Sequence, residues 1–177
     1  MIRLASALQQ DSIVDGPGMR CVLWTQGCPH HCPGCHNPQT HALDGGMTVS
    51  VDEIIAQMKN MKLQSGITFS GGEPFLQAKA LVHVAKAAKQ LHWTLWAYSG
   101  FTFEEIQAQE DMREFLSYLD ILVDGKFREE EKDYRLRFKG SRNQRIIDVP
   151  SSLAQHKIIL SAYDLSLIHI SEPTRQA

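Results

Sequence analysis

Cys28, Cys32 and Cys35 fall within eight residues, in the run Cys28-Pro29-His30-His31-Cys32-Pro33-Gly34-Cys35. Thiolates spaced C-x3-C-x2-C can hold three corners of a four-iron cluster. The fourth iron is then left to a ligand that is not protein. An electron-transfer cluster closes all its corners with four cysteines, so an open iron points to chemistry done at the cluster. A second reading uses the same residues: three thiolates with His30, His31, His36 or His41 could complete a Cys3His zinc tetrahedron. A disulfide is the least expected outcome. No secretory signal is read ahead of the cluster, and a reducing compartment keeps such thiols free.

Thr68-Phe69-Ser70-Gly71-Gly72-Glu73-Pro74 reads as a strand running into a Gly-Gly turn. Such a turn lets backbone groups approach a small ligand closely. Further polar or glycine-rich strand ends are expected at Ser99-Gly100 and at Asp124-Gly125-Lys126. Gly100 could equally serve only to turn the chain, and Asp124 only to cap the next segment.

The elements that must present these groups follow from hydrophobic period and capping residues. Strands are expected over residues 2–8 and 19–26, with the tight turn Asp15-Gly16-Pro17-Gly18 between them. Ser50 and Glu53 predict a capped helix that buries Ile54, Ile55, Met58 and Met61. A short strand over 66–70 precedes a helix from about Leu76 to Leu91, with Leu81, Val84, Ala88 and Leu91 inward. A strand over 93–98 leads to a helix capped by Thr102 and Glu105 that carries Ile106 and Phe115 inward. Strands are also expected over 119–123 and 145–149. Strands alternating with helices imply an α/β fold with a mainly parallel sheet and outer helices, and ligands of such sheets sit at the carboxyl ends of strands. Every candidate segment follows a predicted strand.

Bulk properties agree with one ordinary domain. The chain has 177 residues, is 43% hydrophobic and 21% charged, and carries a formal net charge of −2. Nothing in that balance suggests nucleic acid or a membrane surface as a partner. No apolar run approaches the ~20 residues of a membrane span, and a cytoplasmic location is expected. Outside the triad only Cys21 remains. A second four-cysteine cluster cannot be built, so the reducing electron is expected from an external donor such as a flavodoxin. Cys21 itself reads as a buried core residue, and Glu129-Glu130-Glu131-Lys132-Asp133 as a solvated face.

The cysteine triad followed by Gly71-Gly72-Glu73-Pro74 resembles the radical S-adenosylmethionine superfamily. Ser12-Ile13-Val14-Asp15-Gly16-Pro17-Gly18-Met19-Arg20 is similar to the activases of glycyl radical enzymes within it. Cys35-His36-Asn37-Pro38, Leu122-Val123-Asp124-Gly125-Lys126-Phe127 and Phe138-Lys139-Gly140-Ser141-Arg142-Asn143-Gln144-Arg145 look most like the branch that activates anaerobic ribonucleoside-triphosphate reductases.

The resemblance implies a partial (β/α) barrel spanning residues 1–164. It also implies one 4Fe–4S cluster on Cys28, Cys32 and Cys35, with S-adenosylmethionine chelating the fourth iron. Gly71, Gly72 and Glu73 would receive its methionine amino group. Asp124 and Lys126 would lie near the methionyl end, with Lys126 as carboxylate partner. Ser99, Gly100 and Asn143 would join the cofactor pocket. Asp15 to Arg20 would meet a glycine loop of the partner, the large subunit of the reductase. A formate-lyase or another glycyl radical enzyme is the alternative partner. The superfamily often has an aromatic residue just before the third cysteine. This chain has Gly34 there, leaving His36 to stack on adenine. Residues 165–177 read like a translated sequencing adapter, and that tail is expected to make no functional contact.

Overall fold

A computed structural model of the chain describes residues 1–165. The expected adapter-like tail, from residue 166 onward, lies outside the described residues. Eight strands form one open sheet: β1 (Ile2–Leu4), β2 (Gln9–Ser12), β3 (Arg20–Thr25), β4 (Met47–Val49), β5 (Gly66–Gly71), β6 (Thr94–Tyr98), β7 (Ile121–Asp124) and β8 (Arg145–Asp148). Their order is β4-β1-β3-β5-β6-β7-β8, with β2 pairing off the path onto β3. The central strands β3, β5, β6 and β7 are mutually parallel.

The margins depart from the expected parallel sheet. β1, β2 and β4 pair antiparallel on one side, and β8 pairs antiparallel with β7 on the other. The reason is connectivity: parallel neighbours need a crossover that is usually a helix, and no α-helix lies between β7 and β8 or anywhere from β1 to β4, whereas one at Ala78–Gln90 joins β5 to β6. The marginal strands β2 and β4 were not foreseen; both are short and largely exposed.

Among the described residues five α-helices accompany the sheet: α1 (Val51–Asn60), α2 (Ala78–Gln90), α3 (Phe103–Gln107), α4 (Glu110–Leu116) and α5 (Val149–Gln155). Ser50 caps α1 as expected, its side chain accepting from the Glu53 amide at 3.1 Å. Thr102 and Glu105 form a complete capping box on α3. The helix expected after Thr102 is two helices, α3 and α4. The unforeseen α5 is started by Asp148, whose side chain accepts from the Ser151 amide, with Pro150 in the first turn. No helix among the described residues is long and apolar enough to cross a membrane.

Alternation along the strands sorts the two faces of the sheet. Cys21, Leu23, Ile67, Phe69, Leu95, Ala97, Leu122 and Ile147 join one buried cluster with Ile54, Met58, Leu81, Val84, Ile106 and Phe115 from the helices. The intervening residues face the other way. Among them, Trp24, Ser70 and Tyr98 border a cavity, while Trp96, Val123 and Ile146 form a small second core with Phe138 and Tyr163. One face is thus dry and covered by helices, and the other supplies a partly polar wall.

Candidate active site

The cysteine loop leaves the carboxyl end of β3. Gly27 N–H donates to Thr40 O at 2.8 Å and Cys28 N–H to His41 O at 3.1 Å, closing the loop at its base. Within it the chain turns through left-handed backbone at His31 (φ 48°) and Gly34 (φ 72°). Cys35 N–H donates to Cys32 O at 3.1 Å, and the Cys35 thiol accepts from Asn37 N–H at 3.4 Å. All three thiols are free, partly exposed, and line one cavity of about 470 Å³. Burial pushes the Cys28 and Cys32 thiols up from their ordinary range; a coordinating metal deprotonates such a thiol outright.

The glycine turn is sewn to the base of this loop. Gly72 N–H donates to Thr25 O and Glu73 N–H to Gly27 O, both at 2.8 Å. Gly71 adopts φ +101°, and a Cβ there or on Gly72 would lie within 2.6 Å of backbone atoms of Thr25 or Gly27. The two glycines are therefore required by close approach of two backbones. Gly71, Gly72, Ser99, Gly100 and Gly125 all border the cavity with the cysteines.

Several expected contacts are absent from the cavity wall, each for a visible reason. Glu73 is buried, its carboxylate taken by Phe75 N–H, Ser99 O–H, Gly100 N–H and the His30 ring. Asp124 is buried too. Arg145 Nε and Nη2 donate to its two oxygens, and Phe103 N–H donates to Oδ2 at 2.7 Å. That pairing raises the Arg145 pKa above its usual range. Asn143 accepts from the Ser141 hydroxyl at 2.6 Å and donates to Lys126 O at 2.8 Å, so it shapes the loop after β7. Lys126 is exposed; its charge reaches Cys32 and pulls that thiol down, against the larger effect of burial.

Other residues enter the wall unannounced. Phe127 packs against His36, with ring centroids 5.0 Å apart. Lys139 borders the cavity and is held by Asp164 Oδ1 at 3.0 Å and Gln144 O at 3.1 Å. Gln144 clasps the turn after β7 by donating to Gly125 O at 3.0 Å. Phe127, Lys139 and Gln144 lie in the segments that carry the family resemblance, but their residue types alone do not announce these contacts. The expected loop Asp15–Arg20 does reach the cavity, through Asp15. Arg20 is buried and anchors that loop, donating to Pro17 O, Ile67 O, Thr94 O and the Thr68 and Thr94 hydroxyls. Burial pulls its pKa down to about 10.

Gly34 has a local explanation. A side chain there would need left-handed backbone and would meet the Glu129 carboxylate within 2.8–3.2 Å. Glu129 and Glu130 are exposed, as expected of a solvated face, whereas Glu131, Lys132 and Asp133 of the same run are half-buried. Cys21 is fully buried in the core.

The donor set suits an iron–sulfur cluster. Soft thiols border a roomy cavity that is also lined by glycine backbone. His41 also borders the cavity, and its buried Nε2 has no hydrogen-bond partner among the described residues. That orphaned nitrogen suits a site meant to hold a further group.

Comparison with known proteins agrees. Residues 14–147 match the family described as a 4Fe-4S single cluster domain. The anaerobic ribonucleoside-triphosphate reductase-activating protein of Vibrio cholerae is 36% identical over 140 residues, covering 75% of this chain and 89% of that protein. The protein of the same name from Escherichia coli K12 is 33% identical over 141 residues, covering 75% and 90%. The crystal structure of QueE from Escherichia coli overlays loosely, with a TM-score of 0.47 and 11% identity over 70% of this chain and 69% of that one. With its thiol-lined cavity and this sequence likeness, the chain belongs to the family of anaerobic ribonucleoside-triphosphate reductase-activating proteins and carries their 4Fe-4S single cluster domain.

Proposed function

We propose that this chain activates an anaerobic ribonucleoside-triphosphate reductase by radical S-adenosylmethionine chemistry. The observation that carries the reading is the shared cavity: Cys28, Cys32 and Cys35 line it together with the Gly71-Gly72 turn. When bound, a 4Fe–4S cluster and S-adenosylmethionine supply the chemistry: one electron splits the S–C5′ bond to methionine and a 5′-deoxyadenosyl radical, which takes a hydrogen atom from a glycine α-carbon of the reductase.

The chain's own residues hold and orient. Three thiolates ligate iron and leave one iron to the cofactor. Gly71 and Gly72 offer bare backbone to the methionyl amino end, flanked by Ser99 and Gly100. Glu73 and Asp124 act from behind the wall, fixing the ends of β5, β6 and β7, and Asn143 fixes the loop carrying Lys126. Lys126, exposed near Cys32, is the proposed carboxylate partner. Asp15 borders the cavity where the glycine loop of the large reductase subunit would enter. The open sheet, polar toward the cavity and helix-covered behind, suits the partial (β/α) barrel of that superfamily. With Cys21 buried in the core, the electron comes from outside, a flavodoxin being the proposed donor, in the cytoplasm.

An anaerobic electron paramagnetic resonance experiment tests this. Reconstituted, reduced protein with S-adenosylmethionine is mixed separately with an anaerobic ribonucleotide reductase and with a formate-lyase. A glycyl doublet with the reductase alone is expected. A doublet with the lyase alone overturns the partner. A colourless protein that binds zinc and no iron overturns the chemistry.

A further inference from the structure

The spacer between Cys28 and Cys32 is thinly supported. Pro29, His30 and His31 make no backbone–backbone hydrogen bond among the described residues. What ties the spacer to the rest of the fold is side chains: exposed His31 packs edge-on against His41, centroids 5.0 Å apart, and His30 makes the buried contact. His30 Nε2 meets Glu73 Oε2 at 2.8 Å, with the two side chains 6% and 1% exposed. Phe101 packs edge-on against the His30 ring, centroids 4.6 Å apart. The ring also fills the space beside Gly100, where a Cβ would lie 2.3 Å from its Cδ2.

Glu73 is fully engaged. Oε1 accepts from Phe75 N–H at 3.0 Å and from Ser99 O–H at 2.9 Å, while Oε2 accepts from Gly100 N–H at 2.8 Å as well as meeting His30. A carboxylate offers about four acceptor positions, and four protein groups occupy them. We infer that His30 is a positioning residue: it clasps the cysteine loop to Glu73 and through it to the end of β6, fixing the Cys28–Cys32 span and keeping Glu73 off the ligand. Its purpose rests on the proposed cluster site; the clasp itself rests on these contacts alone.

The test begins with iron-free protein and a thiol-reactive aromatic disulfide, with buried Cys21 as the internal control for folding. His30→Ala is expected to speed modification of Cys28 and Cys32 about tenfold or more, because local opening loses a buried charge-assisted hydrogen bond. His30→Gln, whose amide can still donate to Glu73, is expected to return to within about threefold of wild type. Wild-type rates in His30→Ala, with Cys21 silent, overturn the inference. If Cys21 also reacts, Gly100→Ala decides: its methyl group displaces the ring, so loop thiols that stay slow overturn the clasp and fast ones support it. In reconstituted protein, adding S-adenosylmethionine is expected to shift the reduced-cluster resonance in wild type and His30→Gln, and less in His30→Ala. No shift even in wild type counts against the proposed function, while the thiol rates still decide the clasp.

Discussion

Gly72→Ala tests whether the glycine turn supports the cysteine loop. The new Cβ would lie 2.4 Å from the Gly27 carbonyl oxygen, 2.8 Å from its carbon and 3.0 Å from the Thr40 oxygen, where ordinary contact begins at 3.4 Å. All three are backbone atoms, so the two segments must part by about 1 Å. The bond from Glu73 N–H to Gly27 O, at 2.8 Å, would then pass out of hydrogen-bonding range. Overpacking costs about 1–3 kcal/mol and a stranded buried amide about 1–3 more, so the expected loss is about 2–6 kcal/mol. In a domain of this size, at about 2–4 °C per kcal/mol, that lowers the melting temperature by about 4–24 °C. Because Gly27 precedes Cys28, iron uptake should fall with it. Calorimetry of the iron-free protein, beside iron per chain after anaerobic reconstitution, reads both effects. Gly34→Ala is the control. Its φ is also positive, at +72°, but its Cβ meets only the Glu129 carboxylate, the end of an exposed side chain. Left-handed backbone strain of about 1–2 kcal/mol is expected there. A Gly72→Ala protein melting within about 2 °C of wild type, or costing less than Gly34→Ala, refutes the reasoning.

Three further outcomes follow from buried groups. The Cys21 thiol is pushed up to about 12 by burial, so iodoacetamide near pH 8 should alkylate three cysteines in folded iron-free protein and all four in urea. An unfolded thiol ionises near pH 8.5. The folded state therefore holds the extra proton from there to about 12, stability falls as pH rises through that window, and Cys21→Ala should flatten part of that slope in denaturant titrations. Tyr98, raised by burial in the same direction, supplies another part. Asp124→Asn should cost about 2–4 kcal/mol in urea unfolding, because it breaks a buried carboxylate's pairing with Arg145. Glu104→Gln, on the exposed side of the same arginine, should cost under about 1 kcal/mol, and the opposite order sinks the assignment. Asp164→Ala should cost about 3 kcal/mol by leaving the Lys139 ammonium buried and unpaired, and the double variant Lys139→Met with Asp164→Leu should recover much of it. A neutral single variant counts against that pair as a support of the cavity wall.

What could be read in the sequence was chemistry whose residue types admit few uses, and turns that only glycine can make. The thiol spacing, Gly71-Gly72 and the Ser50 and Thr102 caps are local, and each appears where its own residues place it. The direction of β8 was illegible because Arg145–Asp148 has the same alternation whichever way it runs. The short, exposed strands β2 and β4 lack a hydrophobic signature for the same reason that they are marginal: they bury little.

The partners of the carboxylates were illegible for a different reason. Glu73 and Asp124 stand at strand ends where a ligand contact is the natural expectation, yet their partners, His30 and Arg145, lie 43 and 21 positions away. A buried carboxylate must find donors or lose its charge, and here the protein supplies them. The same reasoning separates the two kinds of residue at this cavity. The three thiols, free of disulfides and bordering the cavity, and His41 Nε2, without a hydrogen-bond partner among the described residues, are the ones able to receive something from outside. Groups already satisfied, Glu73, Asp124 and Asn143, act only through what they hold. A ligand contact should therefore be sought on the first set, and a change in loop mobility on the second.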